Sequence, residues 1–188
     1  MPVIRRVKPS DLFHLNLCNL DPYTENYDIS FYLSYLMKWP SLFFCLEENN
    51  QIVGYIIGKV ESSPSYLQDS PHFLPWHGHI TALTIAPQYR RLGYARLLTR
   101  ALENACEQQN TWFVDLFVRE SNTSAIKLYE SLGYSVFRRV VDYYSDDIGG
   151  SMKGEDAFDM RIPLARDKAR QHVRDNGREF HVTAEDVF

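Results

Sequence analysis

The sequence has few cysteines and no pattern that would join them. Cys18, Cys45 and Cys106 lie far apart, and none of them belongs to a Cys-x-x-Cys pair. This spacing is typical of reduced thiols in a cytosolic protein and offers no metal site. No apolar run has transmembrane length, and no apolar stretch follows the basic N-terminal segment around Arg5. We therefore expect a cytoplasmic protein with no signal peptide, no membrane span and no metal.

The chain also lacks an excess of basic residues. Its 188 residues carry a formal net charge of −4, which argues against direct, specific nucleic-acid binding. Any attraction for an anionic ligand must then be local, and the Arg90-Arg91 pair would supply it. The length and a hydrophobic content of 45% suit one globular domain. We predict that domain over residues 1–163, followed by a charged C-terminal helix or tail over residues 164–188.

Hydrophobic periodicity predicts an α/β protein whose mixed sheet has about seven strands and is accompanied by four helices. Prolines predict a long surface loop over residues 62–75, and an acidic, glycine-containing segment predicts a flexible loop over residues 145–155. The predicted strands cover residues 3–7, 42–47, 52–59, 76–85, 112–119, 134–144 and 157–163, and the predicted helices cover residues 12–20, 30–38, 95–109 and 122–132.

A strand, a turn and the start of a helix follow one another between residues 80 and 95. Pro87 ends the strand because it lacks a backbone donor, and Gly93 allows a close backbone approach where the helix begins. The unpaired amides of the first helical turn, together with the positive end of the helix dipole, favour an anion. A P-loop would need Gly-Lys-Ser/Thr, and a Rossmann turn would need a different glycine spacing and a later acidic residue. The segment predicts a pyrophosphate site of another kind.

The pattern Arg90-x-x-Gly93-x-Ala95, after a strand that ends in Ala-Pro, resembles the acetyl-coenzyme-A (acetyl-CoA) signature of the GNAT superfamily of N-acetyltransferases. It departs from that signature at Ala95, where many members have glycine. The resemblance implies the GNAT acyl-CoA N-acyltransferase fold, in which acetyl-CoA lies between two splayed parallel strands, here residues 80–86 and 113–119. The cofactor-binding residues that it implies are Leu83, Thr84, Ile85, Arg90, Arg91, Leu92, Gly93, Tyr94, Ala95, Asn122, Ser124 and Tyr129.

A second signature, which includes Asn122, Leu128-Tyr129-Glu130 and Leu132-Gly133-Tyr134, resembles the other half of the GNAT cofactor site. The resemblance directs Tyr129 at the thioester sulfur, where a catalytic phenol would protonate the leaving thiolate. A phenol with a pKa of about 10 is protonated at neutral pH and can donate. From spacing alone, Tyr129 could equally be a core residue, and Asn122 could be only a helix cap.

Further segments resemble the catalytic subunits of the NatB N-terminal acetyltransferases: residues 20–27, 76–83 and 113–119, and the pair Tyr143-Tyr144. This resemblance implies co-translational acetylation of nascent chains that begin with Met-Asp, Met-Glu, Met-Asn or Met-Gln. It also implies a heterodimer with a large helical-repeat, TPR-like auxiliary subunit that anchors the enzyme to the ribosome. The implied peptide-binding residues are Glu25, Tyr27, His79, Thr81, Ala82, Phe117, Tyr143 and Tyr144.

The chemistry that follows is direct attack of the α-amine on acetyl-CoA in a ternary complex. An α-amine has a pKa of about 8, so part of it is neutral at pH 7 and a water relayed by His79 or Glu25 would suffice as the base. His77 is interpreted as a structural histidine, and Cys45 and Cys106 have no histidine motif that would make them nucleophiles. Two alternatives stay open: acetylation of another N-terminal class or of a small amine, and a non-catalytic scaffold subunit that binds acetyl-CoA.

Overall fold

The computed structural model describes residues 1–21, 24–70, 73–144 and 154–187. Within them it contains eight strands and four α-helices, which confirms the mixed α/β class with one strand more than predicted. The strands are β1 (Val3–Arg6), β2 (Phe43–Glu48), β3 (Gln51–Glu61), β4 (His77–Ile85), β5 (Phe113–Arg119), β6 (Ser135–Tyr144), β7 (Glu155–Pro163) and β8 (His181–Thr183). The α-helices are α1 (Asn16–Asn19), α2 (Ile29–Lys38), α3 (Tyr94–Gln108) and α4 (Thr123–Leu132).

The chain folds as two compact units. The first comprises residues 1–60 and 80–109, and the second comprises the described parts of residues 61–79 and 110–188. In the first unit the strand order is β1-β2-β3-β4, and the pairs β1–β2 and β2–β3 are antiparallel. In the second unit the order is β5-β7-β6-β8, in which only the β6–β8 pair of the described strands is parallel. The sheet is therefore mixed, as predicted.

In the first unit, short-range sequence features determine the elements that surround the turn predicted before residue 95. The β2–β3 hairpin turns at Asn49 and Asn50, whose φ angles of 51° and 60° are the left-handed values that such a tight turn needs. Helix α2 begins at the cap Asp28, which accepts a hydrogen bond from the Phe31 amide at 2.9 Å. A Cβ on Gly54 would lie 2.5 Å from Ile85 Cδ1, so β3 approaches the end of β4 closely.

The prediction of a helix over residues 12–20 is wrong. Residues Pro9–His14 form a 3-10 turn, and only α1 follows it. Asp11 accepts hydrogen bonds from the Lys8 amide at 2.7 Å and from Arg5 Nη1 at 2.6 Å. These bonds hold the tighter turn, and Leu15 interrupts the helix with a ψ of 5°.

In the second unit, α4 begins at Asn122 and ends at Gly133, whose φ is 102°. The segment predicted as a helix or tail over residues 164–188 contains, in its described part, two short 3-10 turns and β8. Strand β8 buries Val182 against Val140, and the nearby Val187 is also buried. This segment is thus packed on the sheet of the second unit.

Parts of the predicted loops fall outside the described residues. The loop over residues 62–75 contains a 3-10 turn at Ser65–Leu67, but residues 71–72 are not described. Most of the acidic loop, residues 145–153, lies outside them as well, as do residues 22–23 of the motif over 20–27. In the described part of the chain, every helix is too short or too polar to cross a membrane.

Candidate functional site

The turn before α3 has the features of an anion site. Gly93 is the N-cap of α3 with a φ of 85°, and a Cβ added there would meet nothing within 4 Å. Among the described residues, no side chain caps this N-terminus, whereas Asp28 caps α2 and Asn122 caps α4. The amides of the first turn of a helix lack intrahelical partners, and the helix dipole adds positive charge. The turn therefore offers open donors to an external anion.

The two arginines of this turn have different surroundings. Arg90 Nε donates to the Ile85 carbonyl at 3.1 Å, and its Nη2 donates to the carboxylate of buried Asp21. Arg90 thus links the end of β4 to the segment that precedes α2. Arg91 has a φ of 65° and an exposed side chain. Of the two predicted cofactor arginines, Arg90 is therefore bound to other residues of the protein, whereas Arg91 is exposed.

The side chains of the neighbouring predicted cofactor residues are bonded within the protein, half-buried or exposed. The Thr84 hydroxyl is engaged by the Thr24 hydroxyl at 3.0 Å, and the Tyr94 hydroxyl donates to Glu48 Oε2 at 2.7 Å. The hydrogen bond to Glu48 raises the pKa of Tyr94. Leu92 is exposed, and Leu83 and Ala95 are half-buried. The first unit therefore brings Leu83, Thr84, Ile85, Arg90, Arg91, Leu92, Gly93, Tyr94 and Ala95 together at the junction of β4 and α3.

Helix α4 holds the remaining predicted cofactor residues in the second unit. Tyr129 is 6% exposed, and its ring packs edge-on against Tyr134 with centroids 5.4 Å apart. Burial, with a smaller contribution from Tyr144, raises the pKa of Tyr129 above its ordinary value, so the phenol keeps its proton at neutral pH. Asn122 accepts from the Ala125 amide at 3.1 Å, which confirms the cap interpretation, and Ser124 is exposed.

A buried carboxylate lies between two histidines in the second unit. His79 Nδ1 lies 2.7 Å from Asp115 Oδ1, and His77 Nε2 lies 3.7 Å from Asp115 Oδ2. Burial by itself would raise the pKa of Asp115, but His77 and His79 outweigh burial and hold it below its usual range. Asp115 is therefore ionised at neutral pH and accepts a hydrogen bond from His79 Nδ1–H, which leaves His79 Nε2 as the available nitrogen.

Aromatic side chains adjoin this His79–Asp115 pair. The His79 and Phe117 rings are 5.8 Å apart, and Phe117 stacks on Tyr143 at 4.8 Å. Tyr144 packs edge-on against Tyr143 at 5.0 Å, and its hydroxyl donates to the Phe117 carbonyl at 3.3 Å. The structure therefore brings together the predicted peptide residues His79, Phe117, Tyr143 and Tyr144, through contacts between β4, β5 and β6.

The other predicted peptide residues lie in the first unit. Glu25 is exposed and hydrogen-bonds to Tyr27. The pKa of Tyr27 is raised mainly by burial and to a smaller extent by Glu25. Tyr27 stacks on Phe31 at 4.1 Å, so its ring is fixed by α2. The Thr81 hydroxyl is 3.0 Å from the Tyr35 hydroxyl. Ala82 packs against the core of the first unit.

Sequence reasoning missed two residues. Asp115 is not among the predicted site residues, although a lone acid in the apolar run Phe113-Val114-Asp115-Leu116-Phe117 is itself a signal. Because side chains in a strand alternate, Asp115 shares a face with Phe113 and Phe117. Tyr35 is not among the predicted site residues either, and no local signal pairs it with Thr81.

The described residues contain no cluster of three or more His, Cys, Asp or Glu side chains that could hold a metal ion. The three cysteines are buried and reduced. Burial raises the pKa of Cys18 to about 12 and that of Cys45 to about 11, so neither is a thiolate at neutral pH.

Comparisons with known proteins relate the chain to acetyltransferases. A model of the acetyltransferase (GNAT) family matches residues 11–134. The N-terminal acetyltransferase B complex catalytic subunit naa20 of Schizosaccharomyces pombe is 49% identical over 188 residues, with 97% of each chain covered. The crystal structure of Chaetomium thermophilum Naa20 in complex with a bisubstrate analogue is 52% identical, has a TM-score of 0.93 and covers 99% of each chain. A chain of the NatB acetyltransferase complex bound to CoA and MES is 46% identical, has a TM-score of 0.72 and covers 86% of this chain and 99% of its own length.

Proposed function

This chain belongs to the GNAT acetyltransferase family and, within it, to the catalytic subunits of N-terminal acetyltransferase B, and from that premise we propose how its own residues perform the reaction. The chain transfers an acetyl group from acetyl-CoA to the α-amine of protein chains that begin with Met-Asp, Met-Glu, Met-Asn or Met-Gln. It does so co-translationally in the cytoplasm, by direct attack in a ternary complex and without a covalent enzyme intermediate.

The observation that carries this proposal is the uncapped N-terminus of α3 at Gly93. The open backbone amides and Arg91 match the charge of a pyrophosphate, and the space around Gly93 admits it. Arg90 supports the turn through Ile85 and Asp21. The backbone at Leu83–Ile85 receives the pantetheine arm, and we assign Asn122 and Ser124 to the same cofactor. Acetyl-CoA supplies a thioester, which is an acetyl group already activated toward amines.

Tyr129 is the proton donor of the reaction. Its buried phenol keeps its proton at neutral pH, so it can protonate a thiolate as that thiolate leaves. His79 acts at the amine. With its Nδ1 hydrogen directed to Asp115, its Nε2 accepts a proton from the α-amine directly or through a water. Glu25 takes part in positioning that water.

For the peptide, we assign aromatic and polar residues in each of the two units. Tyr27, Tyr143 and Tyr144 hold the peptide backbone, and Phe117 contacts the methionine side chain. Thr81 donates to the second residue, whose acid or amide side chain provides hydrogen-bond acceptors, and His79 does so once its Nε2 carries a proton. This arrangement admits a free N-terminus and selects on the second residue.

We also assign a docking face for the auxiliary subunit. Ile29, Leu33 and Met37 recur at intervals of four along α2 and are 50%, 40% and 81% exposed, which forms an unpartnered apolar stripe within the described residues. Phe13 and Leu20, which precede α2 in the chain, are also exposed, at 74% and 82%. An exposed apolar stripe of this kind is typical of a protein interface. It fits a helical-repeat partner, which in turn places the enzyme at the ribosome.

The test is a coenzyme-A release assay with the full chain and its auxiliary subunit. The peptides differ only at the second residue: Asp, Glu, Asn and Gln are compared with Ala and Lys, and a Met-Asp peptide with a blocked N-terminus is the control. We expect release only with the first four free peptides. Equal release with Ala or Lys would contradict the specificity, and release from the blocked peptide would contradict α-amine transfer.

A further inference from the structure

His77 lies beside the proposed acceptor site but has no role in the reaction described above. Its side chain is 2% exposed, and its ring stacks on Phe113 with centroids 4.9 Å apart and planes 9° apart. Phe113 in turn stacks on His172, from the C-terminal segment, at 5.1 Å. The ring of His77 is therefore fixed in plane and has no path to solvent.

The partners of His77 determine which of its nitrogens carries a hydrogen. Nδ1 lies 2.7 Å from the Pro75 carbonyl oxygen, which can only accept, so Nδ1 donates. Nε2 then faces Asp115 Oδ2 at 3.7 Å. Nε2 is therefore the nitrogen of His77 that is assigned to Asp115: it lies at ion-pair distance from Oδ2, and the attraction of His77 is the largest effect that lowers the pKa of Asp115.

The charges around Asp115 agree with this assignment. The groups that face its carboxylate are His77 and His79 from β4, and Arg161, which lies opposite it in the β5–β7 register. Arg161 is itself bound to Asp159 through Nε at 2.9 Å and Nη2 at 2.7 Å. The guanidinium is thus directed to another acid, and the two oxygens of Asp115 lie one toward each histidine.

We propose that His77 is a positioning residue for acetyl transfer: it holds the second oxygen of Asp115, so that the first oxygen fixes His79 with its hydrogen on Nδ1 and its Nε2 available. This inference rests on the proposed role of His79. A carboxylate held at one oxygen only would rotate about its Cβ–Cγ bond, and the His79 ring would then lose its fixed tautomer and orientation.

Two variants separate this role from a purely structural one. In His77→Gln the side-chain amide nitrogen lies near the position of Nε2 and still donates to Asp115, but the bond to Pro75 is lost. In His77→Asn the amide nitrogen lies near the position of Nδ1 and keeps the bond to Pro75, but the contact with Asp115 is lost. Both variants remove the ring from Phe113, so a packing defect would affect them equally.

We would measure kcat and KM for the full chain with its auxiliary subunit, using acetyl-CoA and a Met-Asp peptide. We expect His77→Asn to lower kcat about tenfold with an unchanged KM for acetyl-CoA, and His77→Gln to retain most of the wild-type kcat. Equal losses in the two variants, or a wild-type kcat in His77→Asn, would overturn the proposal.

A second measurement does not depend on activity. In the full chain with 15N-labelled histidines, ring nitrogen shifts report which nitrogen of His79 carries hydrogen. We expect His79 in the wild type and His77→Gln to be protonated at Nδ1, and His77→Asn to show a mixture of tautomers. An unchanged His79 tautomer in His77→Asn would overturn the positioning role. If the shifts change as expected but the wild type releases no coenzyme A from any peptide, the proposed function fails while the link from His77 to His79 stands.

Discussion

Gly93 and Gly133 have the same left-handed backbone conformation at opposite kinds of helix end. Gly93 is the N-cap of α3 with a φ of 85°, and Gly133 is the C-cap of α4 with a φ of 102°. A Cβ on Gly93 would meet nothing within 4 Å, and a Cβ on Gly133 would lie 3.6 Å from Ile162 Cδ1, an ordinary contact. Alanine is therefore strained to a similar degree at the two positions, and only the first position adjoins the proposed pyrophosphate site.

This relationship gives a matched pair of variants. Gly93→Ala and Gly133→Ala should each cost about 1–2 kcal/mol of backbone strain. Each should then lower the melting temperature by about 2–8 °C. Only Gly93→Ala should raise the KM for acetyl-CoA, by about tenfold, because its Cβ occupies the space through which the backbone approaches the phosphates. Steady-state kinetics measures the KM for acetyl-CoA, and calorimetry measures the melting temperature. An equal rise in KM in both variants would show that strain, and not the lost approach, is responsible.

Tyr129→Phe tests the proton donor. We expect kcat to fall about 100-fold while the KM for acetyl-CoA changes little, since the phenol acts only as the thiolate leaves. Because burial raises the pKa of Tyr129 above its ordinary value, the wild-type phenol stays protonated as the pH rises through about 9. The ratio of wild-type to variant kcat should therefore stay constant from about pH 7 to about pH 9.

The control for this experiment is Tyr66→Phe, which removes the hydroxyl of an 83% exposed tyrosine and should change neither constant. Equal losses in kcat and in acetyl-CoA affinity for Tyr129→Phe would indicate a structural hydroxyl. A ratio that falls steeply above pH 8 would show that the phenol ionises in the working enzyme.

The sequence was sufficient where local signals decide the structure. Helix α3 begins one residue before the predicted start, and α4 has the Asn122 cap and ends at residue 132 as predicted. Both were predictable because caps, glycines and apolar spacing act within one element. The hairpin turn at Asn49 and Asn50 was predictable for the same reason.

Long-range contacts explain what could not be predicted. The helix over residues 12–20 failed because Asp11 bonds to Arg5 of β1, which no helical pattern reveals. Strand β8 has three residues and depends on its pairing with β6. In the site, the turn before α3 was evident from its motif, whereas the pairing of Asp115 with His79 needs two strands side by side. Arg90 was predicted only as a ligand of the cofactor, and its bond to Asp21 spans 69 positions of the chain.

Asp115→Asn tests the carboxylate behind His79. The asparagine oxygen can still accept from His79, but it carries no charge and no longer stabilises a proton taken up at Nε2. We expect kcat to fall about 10- to 100-fold with a small change in the KM for acetyl-CoA. Asp175→Asn, at an exposed position of the C-terminal segment, is the matched control and should behave as wild type. A wild-type kcat in Asp115→Asn would remove this pair from the mechanism.

Met37→Glu tests the docking face on α2. Met37 is 81% exposed at the end of the apolar stripe, so a charge there should leave the melting temperature of the isolated chain nearly unchanged. The same charge would have to be desolvated beneath the auxiliary subunit, and we expect the dissociation constant of the heterodimer to rise about tenfold or more. Tyr66→Glu introduces the same charge at an equally exposed aromatic in the second unit and serves as the control. Titration calorimetry of the two variants against the auxiliary subunit measures the two dissociation constants. Equal weakening of binding by both variants would show that the interface lies elsewhere or that net charge alone weakens binding.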